Sequence, residues 1–95
     1  MFNDLDPVLH SQLRLAIISL LVSVKKAEFT YLKTETNSSA GNLSVQLQKL
    51  KDAGYIKIEK SFRDNYPQTL CSITSQGVKA FDTYVKNLRG YIGPA

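Results

Sequence analysis

Gly41, Asn42, Ser44, Val45, Gln48 and Lys49 all lie in the stretch "SSAGNLSVQLQKLKDAGYI" at residues 38–56. The amides of Asn42 and Gln48 carry paired donors and acceptors, Ser44 a hydroxyl and Val45 a small apolar surface, a set suited to hydrogen-bonded recognition rather than covalent chemistry. Leu43, Leu47 and Leu50 recur at i, i+4 and i+7, so one helical face turns to a core and the recognition groups fall opposite. Ser38 or Ser39 supplies the N-cap and Gly54 the left-handed stop, which predicts a helix over about 39–53. The outward face is small or neutral near its start, where a solvated face would carry charge. Such a face is built for contact.

Groups for other chemistries are sparse. The single cysteine, Cys71, excludes an intrachain disulfide, and with one histidine, His10, there is no set with zinc-ligand spacing. Cys71 sits in the alternating run "TLCSITS" and reads as a small hydrophobe in a half-buried strand. Nothing beside it resembles an orienting base or an oxyanion loop. The sequence therefore predicts no catalytic residues, no metal and no cofactor.

The elements that position the contact helix follow from periodicity. Asp6 before Pro7 marks a helix start, and the helix is expected to run to about Val24. Leu9, Leu13, Ile17, Leu20 and Val24 form its core stripe, while Leu15, Ile18 and Val22 lie nearly opposite, so the helix is apolar almost all round. Thr30 is expected to cap a second, short helix with Tyr31 and Leu32 inward, ending at the turn residue Asn37. After Gly54 the period changes to two: "YIKIEKSF" and "TLCSIT" are expected to pair as a hairpin joined by the loop "RDNYPQ". That loop is longer than a tight two-residue turn, with Arg63, Asn65 and Tyr66 at its tip. A last helix over about 75–92 places Val78, Phe81, Val85, Leu88 and Ile92 in one stripe, widened by Tyr84 and Tyr91. The order is helix, helix, turn, helix, hairpin, helix.

The chain has 95 residues, 43% hydrophobic and 21% charged, which is one ordinary small folded domain spanning 1–95. Its formal net charge of +4 is compatible with a nucleic-acid partner. The run "LRLAIISLLVSV" is too short to span a bilayer and follows Asp4 and Asp6 instead of a basic leader, so the expected location is the cytoplasm, without a membrane partner.

The motifs "GNLSVQLQKLKDAGYI" and "PQTLCSITSQGVKAF", at this separation, resemble the recognition helix with first wing strand, and the second wing strand with entry to the last helix, of compact MarR-like transcriptional regulators. The resemblance covers roughly residues 28 to 81 and departs from the family at Gln68, where a basic residue is frequent. It implies an α+β fold, mainly α with a small β hairpin: a winged helix-turn-helix with N- and C-terminal dimerisation helices and the wing at about 55–74. In such a protein Ser39, Gly41, Asn42, Ser44, Val45, Gln48 and Lys49 would face the major groove. There the amides suit adenine, Val45 a thymine methyl and Lys49 a phosphate. Lys57, Lys60, Arg63, Asn65 and Tyr66 would place the wing on phosphates or in the minor groove. Leu15, Ile18, Val22, Tyr84, Leu88 and Tyr91 would form a homodimer interface, because a monomer of this size can hardly bury two stripes of one helix. The expected function is a sequence-specific repressor of transcription that binds double-stranded DNA as a homodimer. The alternative is a winged helix used for protein interaction or dimerisation. No effector is named by the sequence.

Overall fold

The computed structural model describes residues 2–93. Its elements are α1 (Gln12–Val24), β1 (Lys26–Glu28), α2 (Phe29–Thr36), α3 (Ala40–Asp52), β2 (Ile56–Arg63), β3 (Tyr66–Ile73) and α4 (Ser75–Ile92). This is a winged helix of α+β class: helices carrying a three-stranded antiparallel sheet in the order β1-β3-β2.

The first helix starts later than the Asp6-Pro7 pair suggests. The Asp6 carboxylate accepts from the Val8 N–H at 2.8 Å and its carbonyl from Leu9 and His10, which closes one turn. Ser11 then adopts extended backbone (φ −151°) and caps a fresh helix, its hydroxyl accepting from the Arg14 N–H at 3.5 Å. A good capping serine competes with helix continuation, and here it wins. In α2, too, the cap differs from the expectation: Glu28 is the N-cap residue, Thr30 lies inside the helix, and Tyr31 is exposed while Leu32 is buried.

The hairpin is tighter than the loop reading implied. Asp64 and Asn65 alone form the turn, both at positive φ (51° and 66°), which is the backbone of a type I′ hairpin turn. Tyr66, Pro67 and Gln68 thus belong to β3, with Arg63 opposite Tyr66 and Phe62 opposite Pro67. Proline is tolerated because Phe62 and Pro67 form the non-hydrogen-bonded pair next to the turn. On its other side β3 is free at that point, since β1 pairs only with Leu70, Cys71 and Ser72. The strand β1 was hidden from periodicity by its length of three residues.

The core joins Leu9, Ile17, Ile18 and Leu21 with Leu32 of α2, Leu43, Leu47 and Leu50 of α3, Ile56 and Cys71 of the sheet, and Tyr84 of α4. Ile18 is 0% and Tyr84 4% exposed within this one chain, so neither presents surface to a second copy, contrary to the two-stripe reading. Burial pushes the Cys71 thiol up to about 11, consistent with a packing role.

The junction after α3 is tightly constrained. Gly54 takes φ +82°, and the Thr74 hydroxyl donates to its carbonyl at 2.7 Å while accepting from the Gly77 N–H at 3.0 Å. The Thr74 N–H donates in turn to the Tyr55 carbonyl. A Cβ on Gly77 would lie 2.3 Å from that Tyr55 oxygen and 2.9 Å from Ile73 Cγ1, so only glycine lets α4 start there. The Tyr55 hydroxyl donates to the Asp6 carboxylate, and burial, helped by this bond and the nearby charge, raises Tyr55 to about 12.

The prediction is that Gly77→Ala destabilises the protein by about 1–3 kcal/mol, as expected when extra volume meets backbone that cannot yield. Urea unfolding followed by circular dichroism measures it, and a loss below a few tenths of a kcal/mol would contradict the close approach.

Candidate nucleic-acid interface

The α2–turn–α3 unit sets the candidate surface. Asn37 ends α2 in the left-handed region (φ 53°), its N–H donating to Thr34 and that of Ser38 to Lys33. These are the bonds that close a helix with a reversal of the chain. Ser39 then caps α3, its hydroxyl accepting from the Asn42 N–H at 3.1 Å. The Ser39 oxygen is thus engaged within the protein, leaving its hydrogen for an outside acceptor.

On α3, Leu43, Leu47 and Leu50 are buried, and Ser39, Gly41, Asn42, Ser44, Val45, Gln48 and Lys49 are all exposed. The structure therefore places all seven on the solvent side of the helix-turn-helix. Val45, 52% exposed, is an apolar side chain facing outward from the middle of α3. Gly41 has open space where a Cβ would stand, so nothing inside the chain requires glycine there. With no side chain at Gly41, the backbone there is open to close approach from outside.

The wing residues do not gather into one patch. Strand alternation puts Lys57 and Arg63 on the outer face of the sheet with Ser72 and Tyr66, while Lys60 shares the inner face with Ile56 and Ile58, beyond the end of the core. Asn65 sits in the turn, and Arg63 reaches back to Glu28 at 3.5 Å, an exposed pair worth little to stability. Phe62 and Tyr66 stand 77% and 76% exposed on opposite faces of the tip. Phe62 escaped the sequence reading because a period-two run gives no sign of where the core beneath it stops.

Hydrogen bonds also tie α3 to α1 and link side chains along α3 itself. Arg14 of α1 donates through Nε to the Val8 carbonyl at 2.6 Å and through a terminal nitrogen to Gln46 Oε1. Gln46 Nε2 donates to Asn42 Oδ1 at 3.0 Å, and Gln48 Nε2 donates to Asp52 Oδ1 at 2.8 Å. Periodicity alone does not single out Arg14, whose partner Gln46 lies 32 residues away.

The sequence matches the winged helix DNA-binding domain family over residues 13–92. The chain belongs to that family. An uncharacterised protein of Methanocaldococcus jannaschii is 35% identical over 78 residues, covering 82% of this chain and 85% of the relative. Among solved structures, a transcriptional regulator homologue from Pyrococcus horikoshii superposes with a TM-score of 0.84 at 27% identity, over 90% of this chain and 84% of that one. A MarR-family transcriptional regulator from Silicibacter pomeroyi shares the fold (TM-score 0.69, 16% identity, 87% of this chain and 55% of that one). The chain is thus a winged helix DNA-binding domain, with a fold shared by solved transcriptional regulators. No helix among the described residues is long and apolar enough to cross a membrane.

Gly41 supplies a test that separates fold from binding. Gly41→Ala should raise stability by about 0.5–1 kcal/mol, the helix-propensity difference, while weakening binding to a preferred duplex. Thermal unfolding and a fluorescence anisotropy titration read the two effects, and a variant that is stabilised yet binds unchanged would show that the backbone at Gly41 does not approach DNA.

Proposed function

We propose that the chain works as one winged-helix domain in the cytoplasm, and that a homodimer of it represses transcription by occupying specific double-stranded DNA. The observation that carries this reading is the outward face of α3: seven exposed residues, six of them small or neutral, on a helix whose other side is locked into the core. A helix entering a major groove about 12 Å wide requires this combination of slim leading turns and hydrogen-bonding tips. Lys49 would take a phosphate at the edge. Lys57, Lys60, Arg63, Asn65 and Tyr66 would hold the wing on the flanking backbone or in the minor groove, adding affinity with little sequence information. Covering promoter DNA is enough for repression and needs no further chemistry.

Support for the homodimer comes from α4. Val78, Phe81, Val85, Leu88 and Ile92 alternate at spacings of three and four, the a/d pattern of a two-helix seam. Ile92 is 74% and Val78 45% exposed in the single chain, while Phe81 and Leu88 are half-buried, so the stripe is only partly covered by its own protomer. Leu15 and Val22 are also half-buried at the margin of the core, where a partner helix would complete their burial. The Tyr91 ring lies 5.0 Å from that of Phe2 and its hydroxyl donates to the Asn3 carbonyl at 2.6 Å, which braces the N-terminal segment against the same helix.

Selection from a random duplex pool at moderate salt tests the DNA reading. Enrichment of a motif with two half-sites about one helical turn apart, roughly 34 Å, is the expected result; a pool with no enriched motif would favour the protein-interaction reading. Sedimentation tests the dimer separately: twice the chain mass of 10.6 kDa is expected at micromolar concentration. The double substitution Val85→Glu with Ile92→Glu should return a folded monomer, and a wild-type monomer would refute the dimer.

A further inference from the structure

We infer that Gln46 and Asp52, with Arg14 behind Gln46, are positioning residues that fix which end of two recognition-helix amides faces the DNA, and so set base preference without touching a base. The inference rests on the DNA-reading role proposed for α3. A side-chain amide has a donor end and an acceptor end, and its orientation follows from its hydrogen-bond network. Here each network ends in a group of only one kind. The Arg14 guanidinium has no acceptor, so the Gln46 atom facing it must be Oε1. Gln46 Nε2 is thereby turned to Asn42, whose facing atom must be the acceptor Oδ1, and the two meet at 3.0 Å. Asn42 then has its NH2 free, a donor. On the second network the Asp52 carboxylate accepts only, so Gln48 offers it Nε2 at 2.8 Å and keeps Oε1 free, an acceptor.

Both amides belong to i, i+4 pairs on one exposed helix, which holds the partners side by side before any DNA arrives. Arg14 is held in its own right by the Val8 carbonyl, in the turn that Asp6 caps. With one end of each amide committed, the bidentate adenine contact that both residues suit in isolation gives way to single-ended reading of opposite sign. With its donor end foremost Asn42 favours guanine or thymine, whose O6 and O4 accept, most strongly over cytosine, and with its acceptor end foremost Gln48 favours adenine or cytosine, whose exocyclic amines donate.

The distinguishing variant is Gln46→Glu. The carboxylate it introduces still accepts from Arg14 but can no longer donate to Asn42, so the Asn42 amide turns over and presents its oxygen. Random-pool selection with wild type, Gln46→Glu and Asp52→Asn gives the readout. The wild-type motif should hold guanine or thymine at one position and adenine or cytosine at another. Gln46→Glu should reverse the first preference, by roughly tenfold in relative affinity, and leave the second unchanged. Asp52→Asn, which can both donate and accept, should relax the second alone. Circular dichroism confirms that each variant is folded. A merely structural role would lower binding evenly and leave the motif as it was, and that outcome overturns the inference. An enriched wild-type motif with no response to either variant refutes the networks alone, whereas no enriched motif for wild type refutes the underlying DNA-reading role.

Discussion

The hydroxyl of Thr74 joins the two halves of this molecule. It donates to the carbonyl of Gly54, which ends α3, and accepts from the N–H of Gly77, in the first turn of α4, so one side chain fixes the exit of one helix to the entry of another. Both glycines are demanded by the geometry, Gly54 by its positive φ and Gly77 by the Tyr55 carbonyl that leaves no room for a Cβ. The sheet register is anchored at the same place, since Ile56 pairs with Ile73 immediately beside the junction. The contact face of α3, the direction of the wing and the line of α4 are therefore one rigid decision taken over a few residues.

A second brace acts at the other end of the chain. Asp6 closes the turn before α1 and accepts from the Tyr55 hydroxyl, and Arg14 links that turn to Gln46 on α3. The N-terminal segment also reaches α4 through His10 on the Tyr84 hydroxyl at 3.1 Å and through Tyr91 on Asn3. Helix α3 is held from behind by polar contacts at its edge as well as by its leucines, so in the proposed role its outward groups would have little freedom to lose on binding. In the proposed function, the modest charge of the chain suits a division of labour in which hydrogen bonds would select sequence and the few basic residues would supply the salt-dependent affinity common to all DNA.

The parts of this architecture visible in the sequence are those fixed by local rules. Leu43, Leu47 and Leu50 with Gly54 reveal α3 and its limits, because helix periodicity and the left-handed stop depend on neighbours only. Tertiary competition hid the rest. The start of α1 moved from Asp6 to Ser11 because a serine cap interrupts a helix that proline had opened, and β1 became a strand only because Cys71 and its neighbours offer it an edge. Ile18 fell in the second apolar stripe of α1, assigned to a partner, yet it is fully buried within the one chain. The Arg14 link was beyond reach for the same reason: Arg14 and Gln46 meet only once α1 crosses α3.

The central claim is that the outward face of α3, held by these two braces, is what meets DNA. Titrating isotope-labelled protein with a duplex bearing its selected motif, and following backbone and side-chain amide resonances, tests it most directly. The account predicts the largest shifts at Gly41, Asn42, Ser44, Val45 and Gln48, smaller ones at Lys57 through Tyr66, and little change along Val78 to Ile92. Shifts concentrated on the α4 stripe, with α3 unmoved, would contradict it.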